Sequence, residues 1–162
     1  MEEKHLILDR DFTVYVDYNF FYVQDKEIQE SLENDWNEQA EKMMLATNTH
    51  AIGIRTARND DIVVHFSLLA GAPEDDFKDW DYVVETNMSI PSGKIVVAGP
   101  CEYLPETTCI DLQQSGNYRI RIYYGNLNTV SEDGLEGDDH YKIVLWPSND
   151  KILKILKQLD NG

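Results

Sequence analysis

At 162 residues and 42% hydrophobic content, the chain is long enough for one continuous core and too apolar for disorder. Its 14 Lys and Arg against 30 Asp and Glu leave a net charge of −16. That balance excludes nucleic-acid recognition through phosphates, which needs clustered cations, and docking on an anionic membrane surface. It permits plain solubility, attraction to a basic partner, or cation binding.

No run approaches the ~20 apolar residues of a membrane span. The opening Met-Glu-Glu-Lys-His lacks the basic-then-apolar order of a secretory signal. The expected location is therefore the cytoplasm, with Cys101 and Cys109 as reduced thiols. Residues 1–162 are read as one domain.

Phe12 to Val23 is aromatic and β-branched, with Phe12, Val14, Val16, Tyr18, Phe20 and Tyr22 on one parity. This is half-buried strand patterning, and Asp17 or Asn19 marks a bulge or the point where one strand becomes two. Between Asp25 and Thr47 the period changes. Trp36, Ala40, Met43, Met44 and Thr47 recur at helical spacing, and Asn34 or Ser31 is a suitable cap. The Trp and Met pair fits a buried stripe better than a partner groove.

His50 to Thr56 and Asp61 to Ala70 read as two strands of a hairpin through Ala57-Arg58-Asn59-Asp60, which would set His50 near His65. An acidic loop, Gly71 to Asp81, follows with five acids and one Lys. Tyr82 to Ile90 and Lys94 to Ala98 are expected to pair across Pro91-Ser92-Gly93, and Thr107 to Leu112 gives another short strand. Tyr118 to Tyr124 and Tyr141 to Trp146 each carry an apolar face, with Ile120, Ile122, Ile143 and Leu145 as core candidates. After Pro147, Ile152, Leu153, Ile155, Leu156 and Leu159 recur with helical spacing, and Ser148, Asn149 or Asp150 could cap them. The expected fold is mainly all-β: an antiparallel β-sandwich with one inserted helix and a C-terminal helical tail over 148–162.

The densest chemical cluster is the insert from Asn126 to Asp139, with Glu132, Asp133, Glu136, Asp138 and Asp139 and no Lys or Arg. Carboxylates with glycine hinges suit calcium, and Glu132, Asp133, Asp138 and Asp139 are the candidate ligands, although the spacing is not that of an EF-hand. A solvated loop, or ion pairs from Asp138 and Asp139 to Arg119 and Arg121, is the plainer reading. His140 beside Asp138 and Asp139 invites acid–base chemistry. No nucleophile stands in a recognisable frame, so the chain is read as a binding protein and not an enzyme.

The order of Phe12-Thr-Val, Trp36-x-x-x-Ala40, Ala51-Ile52, Arg58-Asn59, a Pro/Gly turn, a strand pair and Gly116-x-Tyr118 resembles the bacterial ComJ/Nin group over residues 12–147. That group comprises competence-associated inhibitors of a DNA-entry nuclease. The acidic insert before His140 and the C-terminal segment depart from the pattern. The resemblance implies an inhibitor with no catalytic residues of its own. Together with the charge it implies an acidic surface for a basic protein such as a nuclease or toxin, with long-range attraction raising the on-rate. The residues expected to carry that surface are Glu132, Asp133, Glu136, Asp138, Asp139, Glu74, Asp75, Asp76, Asp79 and Trp80, with Phe77 or Leu135 as further anchors.

Overall fold

The alternation of apolar and polar residues resolves into eleven strands in two sheets in the computed structural model, which describes residues 6–28, 32–100 and 109–159. The first sheet contains β1 (Leu6–Val16), β5 (Asp60–Leu69), β6 (Tyr82–Ile90), β9 (Gly116–Gly125), β10 (His140–Pro147) and β11 (Lys154–Lys157), in the order β1-β5-β10-β9-β6-β11. The second contains β2 (Phe20–Asp25), β3 (Leu45–Thr47), β4 (Ala51–Arg55), β7 (Lys94–Ala98) and β8 (Cys109–Asp111), in the order β3-β4-β2-β7-β8. Pairing is antiparallel except that β10 runs parallel to β5.

The sheets pack face to face over one apolar layer. Its centre is the β9–β10 pair, where Ile120 opposes Leu145 and Ile122 opposes Ile143, all fully buried. Phe21, Val23, Ile52, Ile54, Ile95 and Val97 meet them from the second sheet. Asp25 is buried too, but its carboxylate accepts from the Glu27 and Ser92 amides at 2.8 and 2.9 Å, so its polar atoms are satisfied.

Several connections differ from expectation. Residues 57–59 do not close a hairpin, because β4 lies in the second sheet and β5 in the first. Likewise, Pro91-Ser92-Gly93 carries the chain from β6 in the first sheet to β7 in the second. Both are corners between layers, which turn two amphipathic strands inward as well as a hairpin would. His50 and His65 accordingly lie in different layers. The long first run breaks at Tyr18 and Asn19, both at φ 58°, and the turn reverses the parity. Phe21 and Val23 point to the core, while Phe20 and Tyr22 face outward toward Trp36.

The inserted helix is shorter than its sequence period. Among the described residues only α1 (Glu38–Met43) is α-helical, preceded by a 3-10 turn over Glu33–Asp35 and capped by the Asn37 side chain, whose Oδ1 accepts from the Ala40 amide at 2.9 Å. Asn34 is therefore not the cap, and Ser31 lies outside the described residues. Met44, in the left-handed region, ends the helix. The carbonyls of Met43 and Met44 then accept from the hydroxyls of Tyr82 and Tyr124 in the other sheet, which satisfies two of the helix's orphan acceptors. Leu32, Trp36 and Ala40 lie over the outer face of the second sheet. A Cβ on Gly53 would stand 2.7 Å from Trp36 Cζ2, so that position needs glycine for close approach.

The C-terminal segment is not a helix. Lys154–Lys157 is a strand paired with Val83–Glu85 of β6. Before it, Ser148 and Asp150 accept from the Asp150 and Ile152 amides and shape a turn instead of starting a helix. Cys101 and the start of the expected Thr107 strand lie outside the described residues.

Substituting Gly53→Ala should cost about 1–3 kcal/mol in urea unfolding, because the indole must move; an unchanged midpoint would mean that Trp36 does not close over β4. A second expectation concerns alkali. Burial pushes the Tyr82 hydroxyl up to about 12 and raises Tyr124 and Tyr141 still further, with neighbouring phenols and Asp139 adding to the effect. The unfolded chain releases these protons near pH ~10 while the folded chain keeps them, so stability is full below that pH and falls as pH rises toward ~12. Denaturant midpoints at about pH 8 and about pH 11 should show the drop, and equal midpoints would contradict it.

Candidate partner-binding face

The outer face of the first sheet carries an unusual set of side chains for a strand surface. Arg119 and Arg121 project from β9 and Glu85 from β6, and all are buried. One Glu85 oxygen accepts from Arg119 Nε and Nη2 at 3.0 and 2.7 Å, while the other accepts from Arg121 Nε at 2.8 Å. Two guanidinium groups thus share one carboxylate. Burial works against the Arg121 charge, but the Tyr123 hydroxyl and Glu85 outweigh it and hold its pKa above the ordinary value. The expected ion pairs from Asp138 and Asp139 to these arginines do not form; Glu85 takes that place.

The acidic loop 71–81 runs over this network as a strap. The Phe77 and Trp146 rings lie 5.4 and 5.5 Å from the Arg121 guanidinium, and the Asp75 carboxylate stands 3.1 Å from Arg121 Nη2. Trp80 packs at a tilt against His140 at 4.8 Å and Tyr123 at 5.3 Å between ring centroids. Its ring and that of Phe77 therefore spend much of their surface on the sheet. Glu74, Asp75, Asp76 and Asp79 remain exposed.

The 126–139 insert joins β9 to β10 at the rim. The Asn19 amide donates to the Asn59 side chain at 2.7 Å, and the Asn59 amide donates to the Gly134 carbonyl at 2.9 Å. The β1–β2 turn, the β4–β5 corner and the insert are thereby tied at one end of the sheets. Within the insert, the Ser131 hydroxyl and the Leu135 amide donate to Asp133 and hold its carboxyl below the usual range. Asp133 is thus exposed, yet engaged in shaping its own loop. Glu132, Glu136 and Asp138 are exposed, and Leu135 is half-exposed.

Asp139 has a different place from its neighbours. It is buried, 2.6 Å from Arg58 Nε, and accepts from the Tyr141 hydroxyl at 2.7 Å. It supports the corner from inside and offers no surface. The suggested calcium set does not converge: among the described residues, no three His, Cys, Asp or Glu side chains come together as a cation site. The His140 ring lies against Trp80, with Nδ1 3.4 Å from the Asp138 carbonyl. Neither contact places a nucleophile beside it. The open cleft nearby, about 720 Å³, lies between the strap, the insert and the end of β11, with Lys78, Asp79, Trp80, Asn128 and Lys157 on its walls.

Replacing Glu85 by Gln would leave two buried guanidinium groups without their shared anion. The expected loss is about 3–5 kcal/mol in urea unfolding, with faster proteolytic cleavage of the 71–81 strap. A loss below about 1 kcal/mol would show that the arginines find water or other partners.

Comparison with known proteins adds a fold-level result. No family model and no curated protein sequence matches the chain. Among solved structures, the chain is similar to ComJ from Bacillus subtilis, described as an inhibitor of the DNA degrading activity of NucA. That match has a TM-score of 0.66 at 17% identity, over 91% of this chain and 100% of ComJ. It is also similar to the product described as crocagin biosynthetic gene J, with a TM-score of 0.54 at 14% identity, over 92% of this chain and 100% of that one. At these identities the matches establish a shared fold, and the chain resembles ComJ along nearly its whole length.

Proposed function

We propose that this chain is a cytoplasmic inhibitor-type protein that binds a basic protein, a DNA-degrading nuclease being the favoured partner, and blocks its substrate groove. The observation that carries the reading is the full-length fold likeness to ComJ, itself described as a nuclease inhibitor. The charge of −16 supports it, because a nuclease presents cations to DNA and an acidic protein competes for them. The strap and rim carboxylates Glu74, Asp75, Asp76, Asp79, Glu132, Glu136 and Asp138 supply exposed negative charge in this reading. Asp133 adds charge from within its turn, while Asp139 acts through the fold.

The test is a DNA-degradation assay with NucA and a panel of other basic nucleases, with the purified protein titrated in at about 0.05 M and about 0.5 M salt. Dose-dependent inhibition that weakens at the higher salt is expected. Absence of both inhibition and binding across the panel would overturn the reading.

A further inference from the structure

The outer faces of the two sheets are covered unequally. Leu32, Trp36 and Ala40 lie over the second sheet, and the strap's Phe77 and Trp80 lie over β6, β9 and β10 of the first. Over β1 and the first half of β5 the outward side chains stay open, whereas Leu69 at the end of β5 is buried in the cluster that holds the strap's Phe77 and Trp80. In the open part the outward parity shows Asp9, Asp11 and Tyr15 on β1 and Asp61, Val63 and His65 on β5. Tyr15 is 46% and Val63 52% exposed, although both sit within regular strand pairing. Tyr15 opposes Asp61, and Val63 opposes Thr13, so the two apolar side chains are diagonal neighbours on one face.

Carboxylates flank this apolar spot. Beside Asp61 at one end, Asp9 and Asp11 at the other hold His65 by both ring nitrogens, Asp9 at 3.1 Å. The spot is also where the acidic segments meet. Val63 pairs in register with His140, whose ring packs against Trp80 of the strap. Asn59, just before β5, is bonded to Gly134 of the insert. An apolar centre inside a charged border is the arrangement of a protein interface, with anchors in the middle and electrostatic selection at the rim.

We propose that the open edge of the first sheet, over β1 and the first half of β5 and centred on Tyr15 and Val63, is the docking surface for a basic protein. Its apolar side chains seat on Tyr15 and Val63 while its Lys and Arg meet Asp9, Asp11 and Asp61. Charge selects this occupant over a second copy of the chain, since two molecules of charge −16 repel whereas a cationic surface is drawn in. The proposal rests on the inhibitor reading and adds the surface that performs it.

The experiment compares three proteins against the same nuclease panel, NucA included: the natural chain, a Tyr15→Thr/Val63→Lys variant, and a Glu132→Lys/Glu136→Lys variant. All are measured for inhibition at two salt concentrations and for urea midpoint. The sheet variant should inhibit at least about tenfold more weakly at both salts with an unchanged midpoint, whereas the rim variant should lose less, and mainly at low salt. If the sheet variant melts early, Val63→Thr, which keeps a β-branched residue, carries the same comparison. Undiminished inhibition by the sheet variants beside an inhibiting natural chain would overturn the docking surface and leave the inhibitor reading standing. A natural chain that binds no nuclease overturns both.

Discussion

A single carboxylate organises the outside of the first sheet. Glu85 neutralises Arg119 and Arg121 on the neighbouring strand, and without it their burial on that face would carry a large desolvation penalty. The charged trio then requires a cover, and the strap provides one by laying Phe77 over Arg121 and bringing Asp75 to the same guanidinium. Trp80 follows three residues after Phe77 and lands on His140. The position of the strap acids is thus a consequence of the Glu85 contact. A buried ion pair of this kind contributes less to net stability than to placement: it fixes which β6 residue meets which β9 residue and where the strap lies.

The strands were the most legible part of the sequence. Ile120, Ile122, Ile143 and Leu145 alternate cleanly, and the structure buries them as the central pair. Connectivity was less legible, because alternation says which face turns inward and nothing about which sheet a strand joins. A corner such as 57–59 and a hairpin leave the same pattern. The C-terminal segment shows a second ambiguity. Ile152, Leu153, Ile155 and Leu156 fit a short helix by spacing, but the exposed edge of β6 offered backbone partners to Lys154–Lys157. The helix ended early for a tertiary reason as well: its last carbonyls meet Tyr82 and Tyr124, far away in sequence.

The candidate site was legible in kind more than in detail. Both acidic loops could be found by composition, and most of their carboxylates are exposed. Asp138 and Asp139 are indistinguishable as letters, yet one is exposed while the other is buried against Arg58, 81 positions away. The insert carboxylates expected to pair with the β9 arginines do not reach them; the partner is Glu85, the one charged residue of its strand. Nothing in the sequence marks Tyr15 and Val63, because their exposure depends on which parts of β1 and β5 are left open, a property of the assembled sheets.

Acidity acts at a distance only where it is left uncompensated. Arg55, Arg58, Arg119 and Arg121 are each engaged by carboxylates within the fold: Glu41, Asp139 and, for both β9 arginines, Glu85. These internal pairs screen little of the exposed charge on the strap, the insert and β1. The field that remains is negative, and its sources border the β1–β5 surface, where Tyr15 and Val63 stand open. Long-range attraction alone would gather cations without orienting them, and an apolar spot alone would select no sign of charge. On the docking surface proposed above, steering and anchoring would act on the same partner, and the distribution of the acids would then matter more to recognition than their number.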